Sequence, residues 1–363
     1  MIAVAKKNIF KIKPYVPGKP MAEVRRELGL NSVIKLASNE SPFGPSPKVE
    51  RAMAHAAKQV NRYPDGSCYY LRRALARKLK VSENQLIFGN GSDELIVLAI
   101  RAFASQGDEV IMAKPSFLIY AIATQLEGAK PVYVPLRNFR YDLMSMKAAI
   151  TAKTKIIFIG NPDNPSGTYV TKSQVENFLK DVSPDVIVFF DEAYFEFVHS
   201  RRTDYPDTIA LLKKYPNVVT TRTFSKLYGL AGLRIGYGVA DAGIVDVLNR
   251  LREPFNVNVI AQEAALACLN DTVYYRAVAQ KIEDQRKYFI DNFCKLGLSF
   301  VETVTNFMLL NVGSNSSRVA QKLLKQGVII RDMAGWGLKG YIRVTIGTKQ
   351  ENRKFIKALR GIL

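Results

Sequence analysis

Lys226 and Asp191 are the residues of this chain best placed for covalent and proton-transfer chemistry, because each follows a short run of apolar and β-branched residues. Asp191 closes the run Val186-Ile187-Val188-Phe189-Phe190 and opens Asp191-Glu192-Ala193-Tyr194. A carboxylate there sits at a buried strand end, where an unpaired charge is costly, so it calls for a cationic partner. Lys226 ends Thr223-Phe224-Ser225-Lys226 and precedes Gly229-Leu230-Ala231-Gly232-Leu233-Arg234. The glycine-rich approach to an arginine suggests an anion contact. Upstream, Gly89-Asn90-Gly91-Ser92-Asp93-Glu94 opens a helical pattern. Free N–H groups at a helix start attract phosphate, although the same residues also fit a plain capped helix with Asp93 near its N-cap. Phe117, after Lys114-Pro115-Ser116, offers a ring for stacking on a flat ligand or for core packing. The segment Asn161-Pro162-Asp163-Asn164-Pro165-Ser166-Gly167 fixes a turn; it is either a turn alone or one that brings the Asn164 amide to a ligand oxygen.

These groups need elements to hold them. Runs rich in β-formers occur at 86–88, 109–112, 130–134, 155–159, 186–190, 218–222 and 234–239. Helical patterns such as 93–103, 118–126 and 172–181 lie between them. Such alternation predicts an α/β fold with a mainly parallel sheet covered by helices. Ligands of such sheets bind at the carboxyl ends of the strands, and each group above follows a candidate strand. Together they supply a lysine, a carboxylate, a phosphate cradle and an arginine. Pyridoxal phosphate requires that set: an amine to bond its aldehyde, an acid beside its ring nitrogen and an anion site.

Composition narrows the alternatives. A chain of 363 residues exceeds one usual core, so two domains are expected. A long charged helix at 272–296 leads to β-type runs at 299–312, 328–331 and 341–346, with helical patterns at 317–326 and 350–359; this reads as a smaller α/β unit. A Pro- and Lys-rich arm with a short helix at 21–28 precedes the large unit. Cys68, Cys268 and Cys294 are scattered, which argues against disulfides and zinc, and neither His55 nor His199 has a metal-ligand spacing; no metal is expected. No signal peptide or bilayer-length apolar run is evident, and a reducing cytoplasm is the expected location. The net charge of +20 is spread along the chain, and its densest cluster, Arg72, Arg73, Arg77, Lys78 and Lys80, reads as a solvated helix face. Neither nucleic acid nor membrane is an expected partner.

Several motifs in order make the chain resemble the fold-type I aminotransferases, and within them the histidinol-phosphate aminotransferase family. They are Tyr15-Val16-Pro17-Gly18-Lys19-Pro20, Leu36-Ala37-Ser38-Asn39-Glu40-Ser41-Pro42, Arg62-Tyr63-Pro64-Asp65, the strand-end groups above, Arg331-Asp332-Met333-Ala334-Gly335-Trp336-Gly337 and Tyr341-Ile342-Arg343-Val344-Thr345-Ile346-Gly347-Thr348. Ser41 and Ser166 depart from the family's usual Asn and Thr. The resemblance implies a large pyridoxal-phosphate-binding domain at 39–275, a small domain at 276–363, and an arm at 1–38 with substrate and dimer contacts. It implies that Lys226 bonds the cofactor and moves the proton between substrate Cα and cofactor C4′. Asp191 would keep the ring nitrogen protonated, and Asn164 and Tyr194 would hydrogen-bond the phenolic oxygen. Phe117 would stack on the ring. Gly91, Ser92, Ser225 and Arg234 would bind the phosphate, with Thr223 nearby and Tyr63 reaching the neighbouring subunit of a homodimer. Arg343 would grip the acidic end of the substrate, helped by Arg331, Tyr15 and Asn39. The implied reaction exchanges an amino group between L-histidinol phosphate and 2-oxoglutarate, a ping-pong step of histidine biosynthesis that yields glutamate. Aromatic amino-acid aminotransferases and threonine-phosphate decarboxylases share most of this architecture.

Overall fold

The computed structural model describes residues 4, 8–14, 18–199 and 201–363. Tyr15, expected as a substrate contact, lies outside the described residues. The strands are β1 (Ile34–Lys35), β2 (Leu86–Gly89), β3 (Glu109–Lys114), β4 (Lys130–Pro135), β5 (Thr154–Gly160), β6 (Ile187–Asp191), β7 (Val218–Thr223), β8 (Gly236–Ala240), β9 (Phe300–Val301), β10 (Phe307–Asn311), β11 (Val328–Ile329), β12 (Arg331–Asp332) and β13 (Tyr341–Thr345). Seven of them form one sheet in the order β2-β8-β7-β6-β5-β3-β4. Within it β3 to β7 pair in parallel, while β8 runs antiparallel to both β2 and β7.

Alternation along the strands builds two apolar layers. Ile156, Phe158, Ile187, Phe189 and Val219 join the helices Ser92–Phe103, Leu118–Leu126 and Ala242–Leu251 on one face. Ile157, Ile159, Val188, Phe190 and Val218 face the other way, toward Tyr69–Leu79, Val259–Leu269 and Thr272–Lys295. Both faces are covered, which is why these strands read as continuous apolar runs. The C-terminal part forms a four-stranded antiparallel sheet, β12-β13-β10-β9, and β1 pairs in parallel with β11. Among the described residues no helix is long and apolar enough to cross a membrane.

The structure corrects several expectations. The run 234–239 begins its strand only at Gly236, because Arg234 adopts φ 55 and turns a left-handed corner. The run 299–312 divides into β9 and β10, since Thr303, Val304 and Thr305 leave the sheet and Val304 N–H bonds Gly167 O at 3.0 Å. The run 328–331 divides as well: Ile329 pairs with β1, while Arg331 pairs with β13. The helix 172–181 stops at Leu179. The basic cluster 72–80 is not wholly solvated, because the Arg72 guanidinium lies over the Phe88 ring and donates to the Leu86 and Glu83 carbonyls.

Candidate active site

A cavity of about 310 Å³ opens at the carboxyl ends of the parallel strands. The groups that follow the large-sheet strands arrive there together. β2 leads through Gly91 to the helix start at Ser92, and β3 leads to Phe117. β5 leads to Asn164, β6 ends on Asp191, and β7 runs into Ser225 and Lys226. Ser92, Phe117, Asn164, Asp191, Tyr194, Thr223, Ser225, Lys226 and Arg234 all line this one cavity.

Lys226 is a half-buried cation on its wall. The ammonium donates to Ser38 O at 3.4 Å and lies 5.7 Å from the centre of the Tyr194 ring. Burial lowers its pKa to about 8, and the positive charges of Arg343 and Arg234 act in the same direction. A larger share of the amine is therefore neutral near physiological pH than an exposed lysine would hold.

Asp191 departs from expectation. Among the described residues it has no ion pair. Instead the Tyr120 hydroxyl donates to its Oδ2 at 2.7 Å and Ala193 N–H reaches its Oδ1 at 3.3 Å. Burial raises its pKa, and the Tyr120 bond opposes that shift. Tyr120 lines the cavity as well, a candidate site residue that no motif singles out. It stands three positions after Phe117, its ring meeting that ring edge-on at 5.7 Å, so helical spacing was the available signal.

The phosphate side is built on a close approach of backbones. Gly91 has φ +87, and a Cβ there would stand 2.2 Å from Arg234 Nη2. A Cβ on Gly236 would stand 2.4 Å from Ser92 N. Gly91, not Asp93, is the N-cap, and it provides no side-chain cap. Asp93 pairs with Arg234 at 2.6 Å, and Arg234 Nη1 lies 3.4 Å from Ser225 Oγ. Thr223 Oγ1 donates to Ser225 Oγ at 3.0 Å.

The substrate-side residues form a connected layer. Buried Arg343 donates to Asn164 Oδ1 and to Ala37 O, the latter at 3.0 Å, with its guanidinium over the Phe307 and Trp336 rings. Arg331 lies directly opposite it in the sheet, so both side chains emerge on one face. Asn39 donates to the Tyr194 hydroxyl at 2.8 Å and its carbonyl accepts from Asn306. Arg343, Arg331 and Asn39 stand behind the lining of the cavity rather than in it. Tyr63 is not brought to this cavity: it is 83% exposed and stacks on Phe255 at 4.8 Å. Ser166 keeps the bonds its position needs, donating to Asp163 Oδ2 at 2.6 Å. Ser41 Oγ is cut off from water and has no hydrogen-bond partner among the described residues.

This donor set fits pyridoxal phosphate. It offers a half-buried amine, a buried carboxylate with no ion pair among the described residues, and a helix start without a side-chain cap beside Ser225 and Arg234. Residues 31–359 match the family model for aminotransferase class I and II. The chain belongs to that family. It is 47% identical to a histidinol-phosphate aminotransferase of Moorella thermoacetica, over 98% of this chain and 92% of that one. It is 44% identical to histidinol-phosphate aminotransferase 2 of Carboxydothermus hydrogenoformans, over 99% of both. The fold is similar to that of histidinol-phosphate aminotransferase from Sinorhizobium meliloti in complex with pyridoxal-5'-phosphate, with a TM-score of 0.91, 28% identity, and coverage of 100% and 99%. These likenesses place the chain among the fold-type I aminotransferases.

Proposed function

We propose that this aminotransferase carries pyridoxal phosphate on Lys226 and exchanges an amino group between L-histidinol phosphate and 2-oxoglutarate, as a cytoplasmic homodimer in histidine biosynthesis. The observation that carries the reading is the pair of ionisable groups, Lys226 and Asp191, lining one cavity in a chain so similar to histidinol-phosphate aminotransferases. When bound, the cofactor supplies an aldehyde carbon and an electron-accepting ring. Lys226 Nζ, with a depressed pKa, holds the covalent link and afterwards takes the proton from the substrate Cα. The Asp191 carboxylate would hold a proton at the ring nitrogen, with the Tyr120 hydroxyl fixing its orientation. Phe117 covers one ring face. Asn164 and Tyr194 orient the phenolic oxygen, and Asn39 fixes the Tyr194 hydroxyl. Gly91, Ser92, Ser225 and Arg234 hold the phosphate through N–H, hydroxyl and guanidinium donors, with Thr223 behind Ser225.

Arg343, with Arg331, Asn39 and Tyr15, binds the acidic end of the substrate. One guanidinium serves both half-reactions because its planar fork accepts carboxylate or phosphate. The units are a large cofactor domain at 39–275 and a small domain at 276–363, with the 1–38 arm between substrate and dimer partner. Exposed Tyr63, Tyr70 and Val60 suit a second copy of the chain, to whose phosphate Tyr63 would contribute.

Rates at fixed pH test the substrate assignment. The kcat/KM for histidinol phosphate should exceed those for phenylalanine, tyrosine and threonine phosphate. Dephosphorylated histidinol should be far poorer, because it lacks the anion that a guanidinium fork binds. An aromatic amino acid that outperformed histidinol phosphate tenfold, about 1.4 kcal/mol in transition-state binding, would replace the substrate and leave the reaction class intact.

A further inference from the structure

A larger cavity, of about 900 Å³, lies behind the catalytic loop and shares no lining residue with the cofactor cavity. Its floor is aromatic. Phe224 and Tyr228, which flank Lys226 in sequence, form one wall; their rings are 5.0 Å apart, and Tyr228 meets Tyr275 at 4.9 Å. Phe195 and Tyr237 complete it.

The charges in this cavity are arranged unevenly. Glu196 lies on the inner wall, where Oε2 is cut off from water and, among the described residues, has no hydrogen-bond partner. The nearby Arg222 is already committed to Glu192, at 2.8 Å. Around the mouth stand four exposed cations, Lys78, Lys80, Lys213 and Arg276, and one exposed acid, Asp207, which caps a helix. Lys78 makes no hydrogen bond or ion pair among the described residues, although Glu196 and Lys78 feel each other's charge. Arg222, Lys78 and a backbone N–H ease the Glu196 charge, but a carboxylate oxygen left unbonded in an apolar wall still costs free energy that a ligand cation near the group can offset. The cationic rim favours the opposite charge at the other end of that ligand.

We propose that this cavity is a second binding site, separate from the active site, for a small zwitterion with an aromatic body, of which an aromatic α-amino acid is the simplest form. The ligand's ammonium meets Glu196, its ring lies against Tyr228, Tyr237 and Phe195, and its carboxylate faces Lys78 at the mouth. Aromatic side chains of the wall give both ring stacking and a favourable surface for the ammonium.

Titration calorimetry on the holoenzyme tests this, with the active site first blocked by borohydride reduction and excess 2-oxoglutarate. The probes are L-phenylalanine, phenethylamine, which lacks the carboxylate, and 3-phenylpropanoate, which lacks the ammonium. The expected result is one equivalent of L-phenylalanine bound per chain, with both analogues weaker. Glu196→Gln, nearly isosteric, and Lys78→Met, at an exposed position, should each weaken L-phenylalanine binding at least tenfold. Phenethylamine binding should respond to Glu196→Gln and ignore Lys78→Met. Absence of binding at millimolar probe, binding unchanged in either variant, or equal affinity for all three probes would overturn the proposal. Because none of these readouts requires turnover, the result stands apart from the substrate assignment.

Discussion

Asp191 and Glu192 are consecutive buried carboxylates at the end of one strand, yet they live in opposite environments. Alternation sends them to opposite faces of the sheet. Glu192 is saturated: Arg222 reaches its Oε2 at 2.8 Å, Thr208 donates to its Oε1 at 2.8 Å, and the Tyr205 hydroxyl lies at 3.4 Å. Asp191 has a tyrosine hydroxyl, one long backbone N–H bond and no ion pair among the described residues. One carboxylate is saturated within the fold; the other, among the described residues, has no ion pair and is open to the cofactor role proposed for it. Burial is alike in the two, so the partner inventory separates structure from function here.

Substitutions should pull the two roles apart. Asp191→Asn should lower kcat by roughly 10³-fold, within the range for loss of a proton-holding group, and should weaken cofactor retention. It should not destabilise the apoprotein. The raised pKa means that the folded chain holds this proton more tightly than the unfolded chain does, so ionisation at neutral pH costs stability that Asn does not lose. Denaturant melts of the apoprotein check that sign. Glu192→Gln should behave in the opposite way. It leaves the Arg222 charge buried without its counter-ion and should cost about 3 kcal/mol of stability, while kcat of the folded fraction stays within a few-fold of wild type. If Glu192→Gln instead changes the cofactor spectrum with little loss of stability, the contrast fails.

Tyr120→Phe sharpens the comparison at smaller scale. Removing one hydrogen bond to a charged carboxylate should cost about 1.5 kcal/mol, or roughly tenfold in kcat or in cofactor affinity. A smaller but diagnostic effect concerns pH. Cofactor capture by the apoprotein needs neutral Lys226, so its rate should rise with pH through about 8 and level above that. Stopped-flow absorbance would follow it, and an inflection near that of an exposed lysine would contradict the buried environment.

Much of this site was legible in the sequence because each chemical group directly follows an apolar run, and strand ends are local features. Lys226, Asp191, Asn164 and Ser92 could be placed at the mouth of a sheet before the sheet was seen. What could not be read was non-local. The antiparallel pairing of β8 with β2 joins residues more than 140 positions apart, as in Phe88 with Tyr237. Arg234 looked like the start of a strand because Ile235 and Tyr237 favour one; its left-handed turn is explained only by the reach to Asp93. The partner of Asp191 was expected to be a cation on electrostatic grounds. Within the chain it is Tyr120, from a helix on another strand connection, and sequence carries no signal for that meeting beyond its spacing from Phe117.

Lys226, which lines the same cavity as Asp191, is the residue proposed to hold the cofactor. The purified protein, saturated with pyridoxal phosphate and reduced with borohydride, can be digested and mapped by mass spectrometry. A single phosphopyridoxyl group on Lys226, lost in Lys226→Ala together with turnover, is the predicted result. Label on any other lysine, or a Lys226→Ala variant that still turns over, would contradict it.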